Sequence, residues 1–132
     1  MPNLTENAAG VSYLAFKAGG TIVKNRLVKL DSTAGQVIAC TAIADVPFGV
    51  AKESASLGDM VAVQIAGVAQ ITASAAVALG AQVMATASGA GKCSTAAGAT
   101  AYSVGKALAA CSNDGEEIPV QLMLAAAGPA NS

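Results

Sequence analysis

This chain contains two copies of one segment, and that repetition limits its possible folds more than any other feature. Three stretches recur at a spacing of about 55 to 57 residues: residues 27–31 as 82–86, 48–51 as 104–107, and 58–65 as 115–122. The recurring positions hold alternating apolar residues and turn glycines, which are the residues of a scaffold. The repeat therefore favours a structural or binding module over an enzyme.

Alternation of apolar residues predicts strands in both copies. Val28 and Leu30 fall on one face of a short strand, and Val61, Val63 and Ile65 share a face of a longer one. Such strands recur at roughly ten-residue spacing between Gly, Ser and Asp turns, which is typical of a small barrel or sandwich. We therefore expect a mainly β fold built from two pseudo-symmetric repeats, each covering the apolar face of the other.

The length of 132 residues suits one domain of this kind. We expect a flexible N-terminal arm at residues 1–10, a single β domain at 11–124 and a loose C-terminal tail at 125–132. Within the domain, repeat one covers about 11–67 and repeat two about 68–124.

Two segments depart from the plain strand pattern. Residues 73–79 are rich in alanine, so they are the one place where a short helix is expected. Pro119 has no N–H to donate to a ladder, so its strand either lies at a sheet edge or begins to pair after the proline.

Composition limits the partners of this chain. Charged residues make up only 11% of it, and a surface with so few charges is usually hidden by partners or by lipid. The uncharged stretch between Asp59 and Lys92 is broken by Gln and Gly and lacks Trp or Arg anchors, which disfavours a membrane span. The net charge is −1, and no basic run extends beyond residues 24–26, so nucleic-acid binding is disfavoured too.

The three cysteines are odd in number and lie in alanine-rich, strand-like surroundings. Cys40, Cys93 and Cys111 are therefore expected to be buried free thiols rather than a disulfide framework, and they lack the spacing of a zinc site. Free thiols imply synthesis in a reducing compartment, and the N-terminus has no signal-peptide pattern.

The search for catalytic residues returns little. The chain has no histidine, which removes the usual partner of a Ser or Cys nucleophile and the commonest metal ligand. Asp59 and Glu116 hold equivalent repeat positions and are read either as solvated turn residues or as an acid–base pair. Residues 89–94 only partly match a phosphate-binding loop, because Thr86 and Cys93 stand where Gly and Ser or Thr are required, so a hairpin turn is expected there.

Two groups of residues are candidates for binding a partner. Lys24, Arg26 and Lys29 form either a solvated face or a basic patch for an acidic protein surface. Tyr13 and Phe16 form either the edge of the core or anchors for a partner, and the same two readings apply to Leu4 in the arm.

These stretches together resemble a known family. Residues 24–31, 48–51, 58–63 and 67–69 are similar to those of the capsid decoration, or cement, proteins of tailed phages, and the resemblance covers 13–124. It implies a compact β-tulip-like domain that forms homotrimers on the outside of the phage head, after synthesis in the host cytoplasm.

The resemblance also implies a function. Such proteins bind neighbouring subunits of the major capsid protein and stabilise the expanded capsid, without a catalytic site, cofactor or metal. An extended N-terminal arm lying on the capsid is similar to what residues 1–10 offer. The expected capsid-binding residues are Leu4, Thr5, Tyr13, Phe16, Lys24 and Arg26.

Two other classes stay open. One is a tail, baseplate or fibre component or a carbohydrate-binding module, although the two tyrosines offer few aromatic platforms for a sugar. The other is a small hydrolase that uses Asp59 and Glu116.

Overall fold

All regular secondary structure that the computed structural model describes is β. It describes residues 12–42, 45–86, 91–95 and 103–123, and the expected arm with Leu4 and Thr5, like the tail at 125–132, lies outside these ranges. The strands are β1 (Ser12–Ala18), β2 (Leu27–Leu30), β3 (Gln36–Ala39), β4 (Gly49–Ala51), β5 (Met60–Ala66), β6 (Val68–Thr72), β7 (Gln82–Ala85), β8 (Cys93–Thr95), β9 (Ser103–Ala107) and β10 (Glu117–Leu122).

The first five strands, here the first unit, form a closed barrel. Their order is β1-β3-β2-β4-β5, and β5 pairs back onto β1 along most of its length. The pairs are antiparallel except β1 with β3, which run parallel at Lys17–Gln36 and Ala18–Val37. A mainly β small barrel is therefore confirmed.

The last five strands, here the second unit, pair in the same cyclic order. The sheet runs β6-β10-β9-β7-β8, which matches β1-β5-β4-β2-β3 strand for strand. The described strands leave it open between β6 and β8, where a parallel bridge joins Ala73 to Cys93. That bridge corresponds to the parallel pair of Ala18 and Val37 in the first unit. The repeat stays a prediction, which this matching order supports.

A close backbone approach also recurs in both units. A Cβ on Gly49 would lie 2.6 Å from the carbonyl oxygen of Gln64, and a Cβ on Gly105 would collide with that of Gln121. In each case a strand glycine lets two backbones come closer than any side chain permits. Glycine is therefore required at the same point of both sheets.

Each unit has its own apolar core. The first core consists of Ala18, Ile22, Val28, Val37, Ala51, Ala55, Val61 and Val63. The counterparts of these residues belong to the second core: Ala73, Val77, Val83, Cys93, Ala107, Cys111, Ile118 and Val120. The expectation that each copy covers the apolar face of the other is wrong for the first core, because its own small side chains fill that narrow barrel from within. It holds in part for the second core, which also includes first-unit residues.

The two units contact each other through the outer side of the first barrel. Leu27, Cys40 and Val50 point away from the first core and complete the second. Gly91 of the second unit makes two backbone hydrogen bonds to the first unit, at the start of β2 and just after β3. Its carbonyl accepts the N–H of Leu27 at 2.6 Å, and its own N–H donates to the carbonyl of Cys40 at 2.7 Å. A Cβ at Gly91 would collide with Arg26, so the contact requires glycine.

The expected helix at residues 73–79 is absent from the structure. Ala73 and Val77 instead make isolated β-bridges, the second to Cys111 with hydrogen bonds of 3.1 and 2.9 Å. Ile22 and Ala55 make the equivalent bridge in the first unit. Alanine's helix propensity is overridden because this segment completes the sheet.

Pro119 lies inside a sheet rather than at its edge. Its strand pairs with β6 along residues 117–121 on one side, and with β9 from Val120 onward on the other. The carbonyl of Pro119 accepts the N–H of Leu108, so the prolyl nitrogen faces the point where β9 ends. The edge alternative is wrong, and the expectation that pairing begins after the proline holds for the β9 side.

The three cysteines are buried free thiols, as expected. Burial raises the pKa of Cys40 and of Cys93 to about 12, so both thiols stay protonated at neutral pH. The described residues contain no helix with the length and apolarity needed to cross a membrane.

Gln64 holds the connection between the two units. It is 1% exposed, and its side-chain amide donates to the carbonyls of Ala66 and Val68, both at 2.9 Å. These carbonyls flank Gly67, which has a φ of 87° and turns the chain from β5 into β6. One buried amide thereby satisfies two acceptors at the turn.

Replacing Gln64 with alanine should lower the free energy of unfolding by about 1–3 kcal/mol, because two carbonyls at the turn lose their donor. The matched control is Gln121→Ala, since Gln121 is the exposed counterpart in the second unit and should change stability by less than about 0.5 kcal/mol. Urea denaturation measures both values. Equal losses for the two variants would contradict this role of Gln64.

Candidate functional site

The two aromatic candidates lie on β1. Phe16 is half-buried and packs edge-on against Phe48, with ring centroids 5.2 Å apart and an interplanar angle of 85°. Tyr13 is 49% exposed. Phe16 packs against the first core without being fully buried, and Tyr13 is exposed, so the contact of either residue with a partner stays a prediction.

These aromatics lie close to one end of the first barrel. β1 and β4 each run antiparallel to β5, and β2 runs antiparallel to β4. The start of β1, the end of β2, the start of β4 and the end of β5 therefore all lie at this end. The apolar side chains there are Leu14, Phe16, Leu30, Phe48 and Ile65, and we call this set the open end. It combines exposed Leu14 and Leu30 with three half-buried side chains.

The basic candidates do not form one surface with the aromatics. Lys24 and Arg26 lie in the connection from β1 to β2, which is at the opposite end of the barrel. Lys24 is exposed and Arg26 is half-buried. A partner that contacts both the aromatic and the basic candidates has to extend along the length of the barrel.

Lys29 is used within the structure. Its ammonium group donates to the carboxylate of Asp45 at 2.8 Å. The same carboxylate accepts the backbone N–H groups of Thr41 at 2.8 Å and Ala42 at 3.0 Å. Lys29 therefore stabilises the loop after β3 and is not part of an exposed basic patch.

The charge of Asp45 is favoured by these contacts. Burial by itself would raise its pKa, but the hydrogen bonds from Lys29, Thr41 and Ala42, together with the charge of Lys29, hold the pKa below its ordinary value of 3.8. The ion pair is only partly exposed, with 14% of the Asp45 side chain and 28% of the Lys29 side chain accessible.

One further cation near Lys24 was not anticipated from the sequence. Lys52 is half-buried, and its ammonium group lies 3.5 Å from the side-chain oxygen of Asn25. Burial lowers the pKa of Lys52, and the nearby charge of Lys24 lowers it further, while Glu117 acts in the opposite direction. Lys52, which is distant in sequence from Lys24 and Arg26, therefore adds to the positive charge at this end.

The carboxylates considered for acid–base chemistry serve turns. Asp59 accepts the N–H of Ser56 at 3.0 Å, and Glu116 accepts those of Ser112 at 2.9 Å and Asn113 at 2.6 Å. Both carboxylates are exposed, and each engages the turn that precedes its own strand. This arrangement is the one expected of turn-stabilising residues.

Other site chemistry is limited. No group of three or more Cys, Asp or Glu side chains in the described ranges could hold a metal ion. Gly91, within the sequence that partly matches a phosphate loop, lies in the turn before β8 and contacts the first unit instead of presenting N–H groups to a ligand.

Sequence reasoning missed most of the open end. It identified Phe16 but assigned Leu30 and Ile65 to inward strand faces. A signal was available in the repeat, because Leu30 aligns with Ala85 and Leu14 with Ala69. A large residue in one copy and alanine in the other indicates that the two positions face different surroundings.

Comparisons with known proteins agree with this architecture. A family model described as phage cement protein matches residues 6–122. Among solved structures, the chain is similar to the head fiber gp8.5 N base in bacteriophage phi29, with a TM-score of 0.68 and 15% identity over 86% of this chain and 94% of that chain. No curated protein matches at a significant level.

Replacing Asp45 with asparagine should lower the free energy of unfolding by about 1 kcal/mol at pH 7, because the ion pair and two charge-assisted hydrogen bonds are weakened. The lowered pKa means that this contribution is present above pH 3.8 and is lost as the pH falls further. Urea titrations across this pH range should therefore show the two proteins converging in acid.

Asp114→Asn is the control for that substitution. It removes an ion pair of equal length, 2.8 Å to Lys92, but 63% of the Asp114 side chain is exposed. A change near zero is expected there. A gap between wild type and Asp45→Asn that stays constant into acid would contradict the role assigned to the carboxylate.

Proposed function

This chain belongs to the phage cement protein family, and we propose that it binds the outer surface of the phage head and stabilises the expanded capsid. Membership gives it a structural role in the phage capsid. The observation that carries the finer proposal is the match over residues 6–122, which spans both units. The major capsid protein is the proposed partner, and a homotrimer is the proposed assembly.

The surface of the molecule supports this proposal. Charged residues make up only 11% of the chain, while Tyr13, Leu14, Leu30, Leu57 and Leu79 are exposed. Such a surface is costly to leave in water and is favourable to bury against neighbours. A trimer attached to a protein shell would remove much of it from solvent.

Stabilisation follows from binding one state of the shell in preference to another. A protein that binds only the expanded capsid adds its binding free energy to that state, which opposes disruption by packaged DNA. Each N-terminal arm needs to supply only a small contact, because linking three arms raises avidity by about 10²–10⁴. Leu4, Thr5, Tyr13, Phe16, Lys24 and Arg26 remain the proposed contact residues.

We propose no enzymatic activity for this protein. Asp59 and Glu116 are engaged by their own turns, and the chain has no histidine. Their replacement by amides should therefore affect turn stability rather than abolish a reaction.

The similarity to a head fiber base favours a second candidate, in which the chain serves as a base that attaches a fibre to the head. The two candidates differ in their effect on the shell. A cement protein raises the temperature at which heads release DNA, whereas a fibre base leaves it unchanged.

Purified protein added to expanded heads that lack it should bind them, form trimers in light scattering and raise the temperature of DNA release. Immature heads are the control, and little binding to them is expected. A monomer that binds neither kind of head would remove the proposal. Binding without any gain in shell stability would favour the fibre-base candidate.

Deleting residues 1–10 should weaken attachment to heads by about tenfold or more, because avidity from the arms is lost. The fold should be unaffected, since the described strands begin at Ser12. Occupancy by electron microscopy and circular dichroism of the free protein measure the two effects. Unchanged occupancy would show that the arm is not an anchor.

A further inference from the structure

The open end of the first unit is where the two units differ most. Leu14 is 44% exposed and Leu30 is 55% exposed, whereas their counterparts Ala69 and Ala85 are each 1% exposed. The counterparts follow from the registers, since Leu14 pairs with Val63 as Ala69 pairs with Val120. Phe16, Phe48 and Ile65 of the open end are half-buried. Their counterparts are fully or almost fully buried and are, in the same order, Ile71, Val104 and Leu122.

The equivalent end of the second unit is closed by another β surface. Leu27, Cys40 and Val50 on the outer side of the first barrel belong to the second core. The two hydrogen bonds of Gly91 fix the position of this contact. An end of this kind is therefore built to be covered by a close-packed apolar surface.

A second copy of the chain does not offer such a surface. The positions that correspond to Leu27 and Val50 are Gln82 and Lys106 in the second unit, and both are exposed. Stacking one copy on the next in the same way would bury the Lys106 ammonium group against Leu14 and its neighbours, which is unfavourable without a partner charge. A second copy stacked in this way is therefore not the occupant.

The chain outside the described fold indicates which partner would cover the open end. Eleven residues precede Ser12, the first residue of β1, and β1 begins at the open end. An arm that binds the head therefore leaves the molecule beside Tyr13 and Leu14. A surface that binds a chain entering β1 at Ser12 would lie next to the open end.

We propose that the open end is the docking surface for an apolar projection of the head shell. This inference rests on the proposed function and names the surface through which it acts. The partner is an apolar patch formed by side chains of small to medium size, of the kind that Leu27, Cys40 and Val50 supply to the second unit. Leu14 and Leu30 are the side chains with the most area left to bury in that contact.

The test is binding of the full-length variant Leu14→Ser/Leu30→Ser to expanded heads that lack the protein. Affinity should fall about tenfold or more, as expected when central apolar contacts are lost. The control is Leu79→Ser, which is 70% exposed in a turn of the second unit and should bind like wild type. Circular dichroism checks that each variant is folded, and the single variant Leu30→Ala gives a milder change at the same site.

The outcomes separate the two proposals. If wild-type protein fails to bind heads, the proposed function and this inference both fall. If wild type binds and the double variant and Leu30→Ala bind equally well, only the open end is ruled out as the docking surface. A loss of the same size in Leu79→Ser would also overturn it.

Other occupants of the open end are tested in the free protein. If the double variant changes the oligomeric mass in light scattering, a second copy covers this end and the proposal is overturned. If deletion of residues 1–11 shifts the methyl resonances of Leu30 without heads present, the chain's own arm covers it, which overturns the proposal equally. We expect neither change.

Discussion

The contact between the second unit and the outer side of the first barrel determines which ends of the two units are covered and which are exposed. Leu27, Cys40 and Val50 complete the second core, and Gly91 adds two backbone hydrogen bonds to the edge of that contact. The close approach depends on the missing side chain of glycine. This interface covers an end of the second unit, whereas among the described residues the same end of the first unit has no equivalent cover.

The two units are alike inside and differ at their surfaces. Both units keep small or medium-sized apolar residues at the same inward positions, and both have a glycine at a close backbone approach. They differ where one copy faces the other: Leu27 against Gln82, Val50 against Lys106, and Leu30 against Ala85. Leu27 and Val50 are buried against the second unit, whereas Gln82 and Lys106 are exposed. Leu30 is exposed, whereas Ala85 is buried.

Polar groups in this protein hold loops in place. Asp45 binds the loop after β3 with the help of Lys29, Asp59 and Glu116 fix equivalent turns, and Gln64 satisfies two carbonyls at the connection between units. Each of these groups makes its contacts within the described fold. These contacts hold the loops and turns of the protein in fixed positions, which agrees with a structural role in the capsid.

The amino-acid pattern by itself determined the strands, the buried thiols and the two-part organisation, because alternation at period two and turn glycines are local signals. It also carried the resemblance to cement proteins. Only the tertiary structure decided that the first unit closes into a barrel, that each unit has its own core, that residues 73–79 form bridges rather than a helix, and that Pro119 lies inside a sheet. Alternation assigns a residue to one side of its strand, but what that side meets depends on segments distant in sequence. Leu27 and Leu30 lie three residues apart on one strand, and one is buried by the second unit while the other is exposed.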